Sequence, residues 1–260
     1  MSSIIAWGLG GLAVVVVLGI GGFGLAILLA ARFETRHLRR LILMSESDGP
    51  SSGKADRIAE SARSLGYRSL GVFRDEESDL LKENLSLHLS PDDRTLLMIP
   101  SLTRMLGYRL MTRLGDGSLL VTGETLSHSD LTGQRLVVNL PGCPFLGVLA
   151  CHDDRIAAAT NHDEVSDDPA LSEDTTEAFG WGEVLPWQPG RVVDDLYELD
   201  RQLAARAVGQ RFATWRDHTQ ESWRHNWRGA WKVMVRGLFG QNLGAAQSLA
   251  EAYRNRLPSN

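Results

Sequence analysis

Hydrophobic and polar positions alternate in four regimes along the chain, and the first has no polar break of any strength: residues 4–31 contain no charged side chain. A helix rises about 1.5 Å per residue, so about 20 apolar residues cross a hydrocarbon layer about 30 Å thick. The run therefore predicts a single transmembrane helix, with residues 1–31 as the anchor. Gly22, Ala26 and Ala30 recur at every fourth position in it. They form a stripe of small residues through which a second helix, from another copy or from a partner protein, can approach closely.

Residues 32–53 form the second regime. No Lys or Arg precedes the apolar run, whereas Arg32, Arg36, Arg39 and Arg40 follow it at once. The positive-inside bias then predicts a translocated N-terminus and a cytoplasmic C-terminal part. A cleaved signal needs a basic leader and a shorter apolar core, and the sequence has neither. Arg36, Arg39 and Arg40 are placed to meet anionic headgroups, or simply to stop transfer. The Ser-, Gly- and Pro-rich stretch from Ser45 to Gly53 reads as a linker.

Residues 54–190 show short periods. Ile58, Ala59, Ala62 and Leu65 predict a helix that Gly66 ends. Tyr67–Arg74 reads as a strand, and Leu85, Leu87 and Leu89 alternate with Ser86, His88 and Ser90, which predicts one face in a core and one in water. The unbroken apolar run in Arg94–Ile99 suits a more central strand. Leu106–Leu114 and Ser118–Thr122 flank Gly115-Asp116-Gly117 as a hairpin, and Arg135–Leu140 adds a further strand. Such a series predicts an antiparallel meander. The period then lengthens to that of a helix from Phe145 to Thr160, after Pro144. An acidic stretch over residues 161–183 reads as a solvated loop, and Trp181 and Trp187 sit in Gly- and Pro-rich turns that pin them to the module.

Residues 191–260 predict a helical section. Leu196, Leu199, Leu203 and Ala207 make one apolar stripe, with Asp194 and Asp195 near the favourable helix start. Farther on, Trp223, Trp227, Trp231, Met234 and Leu238 make a second, beside a basic row of Arg224, Arg228, Lys232 and Arg236. The commoner use of such a stripe is packing on the meander with the cations in water. The nearby anchor raises a competing use, an interfacial helix with rings at the acyl boundary and cations at headgroups. Leu243, Ala246, Ala250 and Tyr253 mark a last helix.

The sequence is thus α+β: an N-terminal transmembrane helix, an antiparallel β-meander module with covering helices, and a helical C-terminal section. Composition narrows its chemistry. The chain has 260 residues, 43% apolar and 23% charged, as expected of a globular remainder. A net charge of −5 disfavours nucleic acid as the main partner. Cys143 and Cys151 cannot build a disulfide framework, and their spacing lacks the close pairs of a zinc site. The acidic stretch lacks the residue order of an EF-hand. Gly49 and Gly53 precede Lys54, but a phosphate-binding loop needs one more residue between its glycines and a Ser or Thr where Ala55 stands. A glycine-rich run at Gly19–Gly24 lies in the predicted span, where it cannot cradle a dinucleotide, and no G-x-S-x-G elbow occurs.

No catalytic, cofactor-binding or metal-binding set emerges. The sequence points to a single-pass membrane protein with a cytoplasmic binding or scaffolding module that engages a protein partner. An apolar ligand such as a lipid, held between meander and Trp-rich helix, is the alternative.

Overall fold

The computed structural model describes residues 22, 24–33, 35–38, 40–44, 53–75, 84–101, 107–124, 132–160, 183–239 and 243–257. Positions 4–21 and 23 of the predicted anchor, Arg39, Trp181 and the acidic stretch over 161–182 lie outside them. Among the described residues no helix is long and apolar enough to cross a membrane. The protein is α+β with an antiparallel-dominated sheet. Its chain divides into two units: Leu38–Leu203 with Asn242–Asn260, and Met1–His37 with Ala204–Gln241.

In the larger unit, strands β2 (Leu41–Leu43), β3 (Arg68–Asp75), β4 (Asn84–Leu89), β5 (Thr95–Pro100), β6 (Arg109–Leu114), β7 (Leu119–Gly123) and β8 (Arg135–Asn139) lie side by side in chain order. A two-residue strand β9 (Val184–Leu185) pairs with the end of β6. Neighbours from β2 to β7 are antiparallel, as a meander requires. The apolar run at Leu96–Ile99 sits mid-sheet in β5, which is buried along its whole length. At the last position the expectation fails: β8 runs parallel to β7. An alternating apolar pattern carries no information on strand direction.

Helices cover both faces. On one, α2 (Gly53–Ser64), α3 (Phe145–Thr160) and α6 (Leu243–Asn255) pack Ile58, Val148 and Tyr253 onto Leu97, Ile99 and Leu110. On the other, the first turns of α4 (Val192–Gly209) place Leu196 and Leu199 with Trp187 against Leu87, Met98 and Met111. Arg113 and Arg135 of the sheet reach Asp195 and Asp200 of α4 as ion pairs. The tip of α2 ends as its sequence predicts: Gly66 takes φ +83°, Tyr67 N donates to Ala62 O and Gly66 N to Arg63 O.

The alternate polar residues of the stretch over 85–90 are nonetheless not in water. Ser86, His88 and Ser90 are all buried. Their polarity is satisfied instead by short-range bonds such as Ser86 Oγ to His88 Nε2 at 2.7 Å and Ser90 Oγ to Asp92 Oδ1 at 2.6 Å.

The smaller unit contains helix α1 over residues 24–33. It continues in β1 (Arg36–His37), the last turns of α4, β10 (Ala213–Trp215), β11 (Ser222–His225) and α5 (Trp227–Phe239). The strands run antiparallel in the order β1-β11-β10. The C-terminal section is therefore not wholly helical, and Trp223 and Arg224 belong to β11, not to the helix that carries Trp227 and Trp231. Asp217 closes the β10–β11 hairpin by accepting from Ser222 Oγ, from Thr219 Oγ1 and from Glu221 N. Asn226 then caps α5, its Oδ1 accepting from Gly229 N at 2.9 Å. Four-residue spacing runs through both elements, so periodicity alone could not see the boundary. The segment after the apolar run also does more than flank it: Arg36–His37 and Leu41–Leu43 supply strands to the two sheets.

Candidate functional site

Two places gather chemically interesting side chains: the outer surface of the smaller unit and a buried polar seam in the larger one.

On the smaller unit, α1 buries Gly24 and Ala31 and exposes Leu25, Leu29 and Phe33, the last at 62%. Gly22, Ala26 and Ala30 are exposed on the same helix, and a Cβ added at Gly22 would meet nothing within 4 Å. On α5, Ala230 and Met234 turn inward while Trp227 and Trp231, one turn apart, are 54% and 57% exposed. These two indoles are not core. The rings of Phe33 and Trp227 meet edge to face with centroids 6.1 Å apart, which joins the apolar faces of α1 and α5 into one surface.

Cations frame this surface. The Arg32 guanidinium lies over the rings of Phe33 and Trp227, at 5.6 and 5.3 Å from their centroids. Arg228 and Lys232 lie over the buried Phe212 ring, at 5.2 and 4.1 Å, and Arg36 over Trp223 at 5.4 Å. Trp223 is half-buried and packs edge to face on His225. Of the residues singled out in the sequence, Trp227, Trp231, Arg228 and Lys232 thus share α5, and Trp223 and Arg36 pair across two strands. Arg40 is exposed just before β2 in the other unit, and Arg39 is outside the described residues. Arg32 was marked only as part of the basic flank, and Phe33 and Phe212 were not marked by the sequence. Their only signal is position, at the end of the charge-free run and at the turn after α4.

The buried seam centres on His152 of α3, which is fully enclosed. Its Nε2 is 2.9 Å from Thr112 Oγ1 and its Nδ1 is 2.8 Å from Thr122 Oγ1. Thr112 spends its one hydroxyl proton on Arg94 O at 3.1 Å, so it accepts from His152 Nε2–H. His152 Nδ1 then accepts from Thr122, whose oxygen in turn receives Arg155 Nη1 at 2.7 Å. Burial, reinforced by the Arg155 charge, pushes the imidazole down to about 3 and keeps it neutral. Every proton in this chain is committed and the ring has no path to solvent, so the seam fastens α3 to β6 and β7 and has no free group to offer a substrate.

The Ser86–His88 pair looks more like a nucleophile and base. It lacks the third group, however: His88 Nδ1 is buried without a hydrogen-bond partner, and burial with the Arg63 charge pushes the ring down to about 4. Cys143 and Cys151 are both buried free thiols, and burial pushes Cys151 up to about 11, far from a reactive thiolate. Among the described residues no cluster of His, Cys, Asp and Glu could hold a metal ion.

Comparisons with protein-family models, with curated proteins and with solved structures each found no match.

Proposed function

We propose that the chain is a single-pass, membrane-anchored scaffolding protein whose smaller unit rests on the bilayer surface beside its anchor while its larger unit engages a protein partner on the cytoplasmic side. One observation carries this reading: Phe33, Trp227 and Trp231 stand exposed in a continuous apolar surface framed by Arg32, Arg228 and Lys232. A water-facing protein rarely leaves two adjacent indoles open, whereas tryptophan rings favour the acyl boundary and basic side chains the headgroup layer. The charge-free run over residues 4–31 supports the anchor, and the Arg-rich flank after it supports a translocated N-terminus. The small-residue row Gly22, Ala26 and Ala30 is open to a second helix, which makes self-association through the anchor part of the same proposal.

An apolar ligand held between meander and Trp-rich helix has less support. Trp227 and Trp231 are more than half exposed, and both faces of the larger sheet are filled by protein side chains. Catalysis likewise lacks an accessible, activated group among the described residues.

Quenching by brominated lipid tests the reading. The full-length chain in nanodiscs made with lipids brominated high on the acyl chain should lose tryptophan fluorescence, and W227F/W231F should lose markedly less. Identical quenching of the two chains would place both indoles in water and refute the surface contact.

A further inference from the structure

Beyond the ring contacts, the smaller unit gathers the cations Arg32, Arg216 and Arg224. Arg224 stands in β11 opposite Thr214 of β10, and Arg216 lies two residues past Thr214, so both arginines share one face of the hairpin. Desolvation, and after it the charges of Arg216 and of Arg32, lower the pKa of Arg224. Arg32 Nε and Nη1 and Arg224 Nε are enclosed and have no hydrogen-bond partner. No ion pair among the described residues joins Arg32, Arg216 or Arg224 to a carboxylate. Asp217, which follows Arg216, is taken up by Ser222, Thr219 and the Glu221 amide within the hairpin turn.

A buried guanidinium nitrogen without an acceptor costs free energy that a native fold ordinarily avoids. The cation–π contacts of Arg32 do not relieve that cost. They use the flat face of the guanidinium and leave its in-plane N–H donors unspent. Unspent planar donors on two neighbouring arginines, with a third exposed beside them, suit an anion that takes several hydrogen bonds at once, and a phosphate does so with a fork geometry that arginine matches.

We infer that Arg32, Arg216 and Arg224 form a binding site for the phosphate of an anionic phospholipid headgroup. The lipid origin of that phosphate rests on the surface contact proposed above: Arg32 sits where the exposed apolar row Leu25, Leu29 and Phe33 ends, so a phosphate bound there would have its acyl chains beside that row. Arg32 then bridges two layers, its face on aromatic rings and its edge on the headgroup.

Calorimetric titration of the full-length chain in a neutral detergent tests this, with water-soluble dihexanoyl phosphatidate and inorganic phosphate as the two probes. Dihexanoyl phosphatidate should bind the wild type, and Arg32→Gln with Arg224→Gln should weaken it by about tenfold or more, as loss of charge-assisted hydrogen bonds demands. Arg201→Gln, exposed on α4, serves as the charge control and should leave binding unchanged. Lysine at positions 32 and 224 keeps the charge but loses the fork, and should bind more weakly than the wild type. If the double glutamine variant does not fold, the exposed Arg216→Gln takes its place and should still weaken the lipid. Equal affinity of the wild type and the folded variants would overturn the site. Inorganic phosphate binding as tightly as the short-chain lipid would overturn the headgroup assignment. The titration involves no bilayer, so its outcome is separate from whether Trp227 and Trp231 enter one.

Discussion

His152 couples three elements through two hydroxyls, and its enforced neutrality sets an acid limit on the fold. Removing it as His152→Ala leaves a cavity and strands Thr112 and Thr122 in the interior, a loss of about 3 kcal/mol in denaturant unfolding. His88 and His225 are held neutral in the same way, each pushed down to about 4 by burial and by a nearby arginine. All three remain unprotonated in the fold but take up a proton when the chain unfolds below their ordinary value of 6.5. Their contribution is therefore intact above that pH and is lost as pH falls toward 4. Urea midpoints measured at pH 7 and pH 5 should drop for the wild type, and the drop should be smaller in His152→Ala. None of this was legible in the sequence. Thr112, Thr122 and His152 lie on three separate elements, and no spacing links them.

Strong local signals did survive into the elements. The apolar run of β5 became the sheet's buried middle, the Gly-containing loop joined β6 to β7, and Gly66 closed α2, because each depends on burial or backbone conformation within a few residues. Where the outcome depended on distant packing, the pattern misled. Ser86, His88 and Ser90 read as a wet face but are buried in the packed sheet, and Trp223 read as helical because its spacing to Trp227 matches one turn. The break between β11 and α5 rests on Asn226 and on Gly229, where an added Cβ would stand 2.0 Å from Phe212 O. Gly229→Ala should thus force α5 off the hairpin and cost more than about 2 kcal/mol, since backbone cannot yield as a flexible side chain can. Circular dichroism melting of the variant should show a lowered midpoint, and an unchanged one would mean that α5 does not pack on Phe212 as described.

Taken together, the two units divide the chemistry. The larger buries polar groups in committed networks and ties α4 to its sheet by Arg113–Asp195 and Arg135–Asp200. Among its described residues the smaller exposes two indoles and encloses guanidinium nitrogens that have no hydrogen-bond partner. The sequence pointed to that second surface through its basic and aromatic rows, but it favoured packing for the tryptophans because a stripe's spacing does not say which side of a helix faces inward. Their exposure gives the bilayer contact its support.

A nitroxide spin label at position 231 of the full-length chain in nanodiscs bears most directly on that contact, with a label at exposed Arg57 of α2 as the aqueous reference. Collision with oxygen, which concentrates in acyl chains, should exceed collision with a water-soluble nickel chelate at position 231 and fall below it at position 57. Equal, water-like accessibility at both positions would contradict a bilayer-resting Trp surface.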